Sequence, residues 1–187
     1  MQKKLIVIIG GPGTGKSTII DKLSEIGYCC YPEISRQITI DAQQQGVEQL
    51  FLSDPLLFSS KLLEGRVGQF DQASGSADKS VFFDRGIPDV LAYMNFKGDD
   101  YPASFEQSCA ENLYTQAFLL EPWKEIYKAD NERYESFEQA QEIHQHLVAT
   151  YKRFGYELIT VPQDNLEKRI RFILDRIWSC HKKIAKA

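Results

Sequence analysis

The four cysteines, Cys29, Cys30, Cys109 and Cys180, show no C-x-x-C spacing, and two are adjacent. That argues against a disulfide framework or a zinc site and for free thiols in a reducing compartment. His144 and His146 stand two apart in a segment that reads as helix, so they point in different directions and make a poor metal pair. No apolar run approaches the length of a membrane span. Lys3-Lys4 followed by Leu5 to Ile9 is too short for a secretory signal, runs straight into a glycine-rich turn and reads as a first strand. The net charge of −4 disfavours non-specific nucleic-acid binding. No internal repeat and no dividing linker appears. The guanine motif N-K-x-D is missing and no Asp is followed three residues later by Gly, which disfavours a Ras-like GTPase. The absence of L-S-G-G-Q disfavours a transporter-type ATPase. The 187 residues, 43% of them hydrophobic, suffice for one domain with a substantial core. They leave little room for the further helical domain of a ring-forming remodelling ATPase.

What is present begins at Gly10. The run Gly10-Gly11-Pro12-Gly13-Thr14-Gly15-Lys16-Ser17 satisfies the phosphate-binding pattern G-x-x-x-x-G-K-[ST] at every defined position. An apolar strand precedes it, and Ile19, Ile20, Leu23 and Ile26 follow at helical spacing. Glycines let successive amides converge on an anion, and the helix beginning near Lys16 aims its positive end at the same point. Gly11, Gly13, Thr14, Gly15, Lys16, Ser17 and Thr18 are therefore the expected nucleotide cradle. Lys16 is expected on the β- and γ-phosphates and Ser17 on Mg²⁺.

The remaining pattern alternates strand and helix. Strands are expected at Tyr28 to Tyr31, Val81 to Phe83 ending at Asp84, Ala117 to Leu120, and Glu157 to Val161. Helices are expected at Glu33 to about Gln45, Pro55 to about Asp71, Pro88 to Asn95 and Phe105 to Leu113. Two more are expected, one at Phe137 to Tyr151 and a closing one marked by Leu166, Ile170, Ile173 and Ile177. Gln72 to Ser80, small and polar, reads as a loop. Ser136 reads as a helix cap, with Phe137, Ala140, His144, Leu147 and Tyr151 on one face. This order implies an α/β fold: a parallel sheet covered by helices on both faces, with ligands beyond the carboxyl ends of the strands. The whole chain is expected to form one domain, with a helical acceptor-binding insert at about 33–75 and a lid-like segment at about 121–136.

Three further motifs fall at those strand ends. Asp84 is placed to hold Mg²⁺ through water, in preference to a turn cap before Pro88. Arg85 suits a phosphate or carboxylate on a second substrate, with an ion pair to a neighbouring acid as the alternative. Glu33 fits either a general base for an acceptor hydroxyl or a residue favoured by a helix start. Arg36 fits either a clamp on an anionic acceptor or a solvated face. In the lid-like segment Arg133 is the candidate to stabilise charge on a transferring phosphoryl group, with an exposed amphipathic helix carrying paired charges as the alternative. Trp123 and Tyr127 anchor that segment, by packing in preference to stacking on a base.

GGPGTGKST, PEISRQI, VFFDRGIPDVLAY and LLEPWKEIYKADNERYESFEQA together resemble the NadR-like P-loop proteins, often described as small AAA-domain ATPases. The resemblance runs from about Lys4 to Ile173. It implies a nucleotide-kinase-like, three-layer P-loop fold with five parallel strands in the order 2-3-1-4-5. It also implies roles for Lys16, Ser17, Asp84, Arg85 and Arg133, and kinship with a ribosylnicotinamide kinase module. A bifunctional or repressor role is not expected, because these residues show no counterpart of the nucleotidyltransferase and DNA-binding regions of full-length NadR. The expected activity is Mg-dependent transfer of the ATP γ-phosphoryl group to a small nucleoside- or nucleotide-like acceptor, with GTP as the alternative donor. A second reading is a regulatory NTPase acting through a protein or lipid partner, and a third is a nucleotide-binding protein with no catalysis. A cytoplasmic location is expected, and the pattern carries no oligomeric signature.

Overall fold

Alternation along the first apolar run builds two cores at once. A computed structural model, which describes residues 3–127 and 135–179, places this run as β1 (Lys4–Gly10). Leu5, Val7 and Ile9 enter one core and Ile6 and Ile8 the other, because successive strand side chains point to opposite faces. β1 pairs in parallel with β3 (Ser80–Asp84) on one side and β4 (Gln116–Leu120) on the other. β2 (Cys29–Tyr31) extends the sheet beyond β3 and β5 (Leu158–Thr160) extends it beyond β4. The order is β2-β3-β1-β4-β5, as expected.

Parallel neighbours need crossover connections, and helices supply them. α1 (Lys16–Glu25) and α8 (Leu166–Ser179) cover one face, with Ile19, Leu23, Ile170 and Ile173 against Ile6, Ile8, Phe82 and Phe118. α4 (Pro55–Gly75), α5 (Ile87–Lys97) and α7 (Phe137–Arg153) cover the other, joined by Phe105 and Cys109 of α6 (Ala103–Glu111). Each fully buried Ile, Leu or Phe contributes about 1.5–3 kcal/mol. α2 (Ser35–Gln44) and α3 (Leu50–Ser53) lie between β2 and α4 in sequence. Among the described residues no helix is long and apolar enough to cross a membrane.

Three expectations are corrected. Gln72 to Gly75 continue α4 instead of opening a loop, because Phe70 and Ala73 extend the stripe of Leu62, Leu63 and Arg66 against the sheet. The single turn α3 has no counterpart in the sequence reading; its Leu50 is buried. On α7 the apolar face is rotated from the one read. Ala140, Ile143, Leu147, Thr150 and Tyr151 are buried, while Phe137 and His144 are half-buried.

Candidate nucleotide and acceptor site

The glycine loop leaves β1 and enters α1 at the carboxyl edge of the sheet. Gly13 and Gly15 both take left-handed backbone, with φ of 74° and 84°, which lets the loop close tightly. Lys16 is buried and donates from Nζ to the Gly11 carbonyl at 2.8 Å, with Thr14 Oγ1 at 3.4 Å. The Thr14 hydroxyl donates to the same carbonyl at 2.9 Å. Burial and the neighbouring Arg85 charge pull the Lys16 pKa down to about 7, against the opposing pull of Asp84, Asp89 and Glu33. Ser17 and Thr18 are exposed. Gly11 is packed by α7: a Cβ there would stand 2.9 Å from the Ala140 carbonyl oxygen.

Asp84 ends β3 directly beside this loop. Its Oδ2 accepts the Ser17 hydroxyl at 2.8 Å, and its Oδ1 is buried without a partner. Burial raises the carboxyl pKa, while Lys16, Arg85 and the Ser17 hydroxyl restrain the rise. Hydroxyl, carboxylate and an unused buried oxygen form the donor set that suits Mg²⁺, which keeps several waters and takes few protein ligands.

Arg85 turns the chain away from that centre. It is the one non-glycine among the described residues with positive φ, at 71°, and its amide donates to the Ile8 carbonyl at 3.1 Å. This conformation costs about 1–3 kcal/mol and persists only where surroundings enforce it. Its guanidinium meets Glu33 (Nε to Oε2, 2.5 Å), approaches Asp89 Oδ1 at 3.5 Å and lies 5.1 Å from the Tyr93 ring centroid. Glu33 is also gripped by buried Arg66, whose Nη2 reaches both carboxylate oxygens at 3.1 and 3.2 Å. Glu33 Oε1 further accepts from the amides of Ile34 and Ser35, at 2.9 and 3.0 Å, where α2 begins. Burial alone would raise the Glu33 pKa. The Arg66 and Arg85 charges and the Ser35 amide outweigh it and hold the carboxyl at about 2.

The turn at Gly86 has no space for a side chain. A Cβ there would stand 2.5 Å from the Tyr151 hydroxyl and 2.9 Å from both Tyr114 and Val7. Arg66 Nη1 donates to the Gly86 carbonyl at 3.0 Å, and the Gly86 amide donates to Asp89 Oδ2 at 2.9 Å. Tyr151 donates to the same oxygen at 2.6 Å. Gly86 is thus held from both sides, and with it the direction in which Arg85 leaves the strand.

The loop residues, Asp84, Arg85 and Glu33 converge at one edge of the sheet. Arg36 is exposed on the first turn of α2. In the segment after β4, Tyr127 packs its ring 5.4 Å from that of Phe137 and donates from its hydroxyl to the Glu135 carbonyl. Trp123 is half-buried against Arg169. Arg133 lies outside the described residues. Cys29, Cys30 and Cys109 are free thiols, and burial pushes all three up, Cys30 and Cys109 to about 12. They are poor nucleophiles. The sequence reading missed Arg66, Asp89, Tyr151 and Arg169 as parts of this edge. Arg66 and Arg169 carried a signal: each is a cation on or beside the apolar stripe of its helix.

A family model described as an AAA domain matches residues 5–169. Solved structures share the fold at low identity. A deoxyadenosine kinase from M. mycoides, solved with dCMP and dCDP, is 18% identical, with a TM-score of 0.69 over 93% of this chain and 98% of the other. A NadR protein in complex with NR is 19% identical, with a TM-score of 0.70 over 94% of this chain and 50% of the other. The thymidylate kinase of Ehrlichia chaffeensis is 17% identical, with a TM-score of 0.58 over 95% of this chain and all of the other. No curated protein sequence matches the chain.

Proposed function

This chain belongs to the AAA domain family, and on that premise we propose that this P-loop protein transfers the γ-phosphoryl group of ATP to a hydroxyl of a small nucleoside- or nucleotide-like acceptor. One observation carries the reading. Consecutive residues 84 and 85 join two half-sites: Asp84 bonds Ser17 of the loop, and Arg85 bonds Glu33 across the edge of the sheet. A donor site and an acid-lined acceptor site therefore share one strand end, as in-line transfer requires.

In this reading the loop amides and Lys16 hold the β- and γ-phosphates, with Gly11, Gly13, Thr14, Gly15 and Thr18 shaping the cradle. Mg²⁺, held by Ser17 and Asp84, supplies charge neutralisation on the phosphates. Glu33, ionised across the neutral range, accepts the hydrogen bond of the acceptor hydroxyl and fixes its direction. With a pKa of about 2 it is a weak base, so its contribution is orientation more than proton uptake. Arg85, held by Glu33 and close to Asp89, faces charge on the transferred group. Arg36 and Arg133 are further candidates, for an anionic acceptor and for the migrating phosphoryl group. The structural relatives support the acceptor class: one kinase is solved with deoxynucleotides and one NadR with NR.

The commitment of Glu33 to two arginines favours one other reading, a regulatory NTPase whose carboxylate serves structure alone. ADP release from Mg·ATP separates the two, measured alone and with nucleosides, nucleotides and nicotinamide riboside. Strong stimulation by one compound is expected. Lys16→Ala should abolish that turnover in a folded chain, and Glu33→Gln should cut it about 100-fold. Turnover indifferent to every acceptor, or unchanged in Glu33→Gln, contradicts the proposal.

A further inference from the structure

Arg169 stands in the first turn of α8 and is only 6% exposed. Its Nη2 donates to the Thr14 carbonyl at 2.9 Å, and its Nε is buried without a partner. Its Nη1 lies 3.0 Å from where a Cβ on Gly15 would stand, with Ile126 Cδ1 at 3.7 Å from the same point. Its guanidinium lies 5.8 Å from the Trp123 ring centroid. The other arginines of this edge, buried Arg66 and half-buried Arg85, both rest on Glu33. Arg169 has no carboxylate within ion-pair distance among the described residues, and burial alone pushes its pKa down. A buried cation without a counter-charge is costly, so its retention beside an anion cradle asks for an electrostatic use.

The geometry supplies one. In a trans peptide the carbonyl and the following amide point in opposite directions, and the chain has no cis bonds among its described residues. Holding the Thr14 carbonyl against Arg169 therefore turns the Gly15 amide away from the guanidinium. A cation on that carbonyl also polarises the peptide and makes its amide a stronger donor. The same guanidinium touches the segment that follows β4. That segment is tied to the start of α8 a second time, where Gln163 Nε2 donates to the Pro122 carbonyl at 3.2 Å.

We propose that Arg169 is a positioning residue for nucleotide phosphates. It fixes and polarises the Thr14–Gly15 peptide so that the Gly15 amide faces the polyphosphate. Through its contact with Trp123 it transmits occupancy of the loop to residues 121–127. The inference rests on nucleotide occupying the loop, so its test reads binding first and turnover second.

The chain contains two tryptophans, so Trp178→Phe leaves Trp123 as the sole indole reporter. Titration of that parent with Mg·ADP is expected to change Trp123 emission, with affinity measured in parallel by calorimetry. Arg169→Met is expected to weaken Mg·ADP about tenfold and to abolish the emission change at saturation. Arg169→Lys keeps the charge without the planar fork and should recover part of the affinity. In turnover the loss should fall on KM for ATP, with kcat changed less than about twofold. If Arg169→Met does not fold, Arg169→Lys carries the test with a weaker affinity and a reduced emission change. A folded variant that binds Mg·ADP as tightly as the parent, or that keeps the full Trp123 response, overturns the proposal. Failure of the parent to bind Mg·ADP would overturn the nucleotide site itself, and this inference with it.

Discussion

Lys16 rests on the Gly11 carbonyl, and burial together with the Arg85 charge brings its pKa to about 7. Nucleotide phosphates favour the ammonium form and must raise that value on binding. Binding is therefore coupled to proton uptake at Lys16. The sign follows directly: below about pH 7 the lysine is already charged, and above it binding must also recruit a proton. The affinity for Mg-free ADP, chosen to leave Asp84 and the ion out of the comparison, should fall about tenfold per pH unit above about pH 7. Calorimetry in buffers of different ionisation enthalpy should register the proton. A pH-independent affinity from about pH 7 to about pH 9 would show that Lys16 is charged throughout. Individual residues were unevenly legible in the sequence. Lys16, Ser17 and Asp84 stand in a local motif or at the end of an apolar run, and their chemistry follows from that placement. Glu33 left two roles open because its partners, Arg66 and Arg85, lie 33 and 52 positions away in sequence. No local pattern reveals such a pairing.

At the scale of elements, helix starts were read more reliably than helix faces. Ser136 caps α7 by a reciprocal pair: its hydroxyl accepts from the Gln139 amide at 3.2 Å, and its amide donates to Gln139 Oε1 at 2.8 Å. Ser136→Ala should cost about 1 kcal/mol, read as a melting temperature lower by about 2–4 °C. An unchanged melting temperature would mean that the start of α7 is held by packing alone. Pro55 and the Asp54 cap mark the start of α4 equally clearly, with Asp54 Oδ1 accepting from the Leu57 amide at 2.9 Å. The far end of α4 was illegible because Gln72, Ser74 and Gly75 have the composition of a loop. What keeps the chain helical there is tertiary: Ala73 is fully buried against the sheet. The face of α7 was misjudged for a related reason. Its packing partners are the Gly11 turn and α5, and neither can be inferred from periodicity within α7.

At the scale of the whole molecule, strand order does the assembling. β1, β2, β3 and β4 all release their chains at one edge, so the loop, Glu33, Asp84, Arg85 and Trp123 meet although they span more than 100 positions. This much was legible, because alternating elements with short apolar strands admit few topologies. The solved structures share the fold at 15–19% identity, so the architecture tolerates wide change in sequence. The central claim is that the γ-phosphoryl group goes to a small acceptor hydroxyl instead of to water. The direct measurement is the fate of ATP labelled in its γ-phosphoryl group, incubated with the protein and the acceptor panel and followed by separation of the products. The account predicts label on one acceptor in amounts equal to the ADP formed, and none after Lys16→Ala. Label found only in inorganic phosphate, at a rate no acceptor alters, would contradict it.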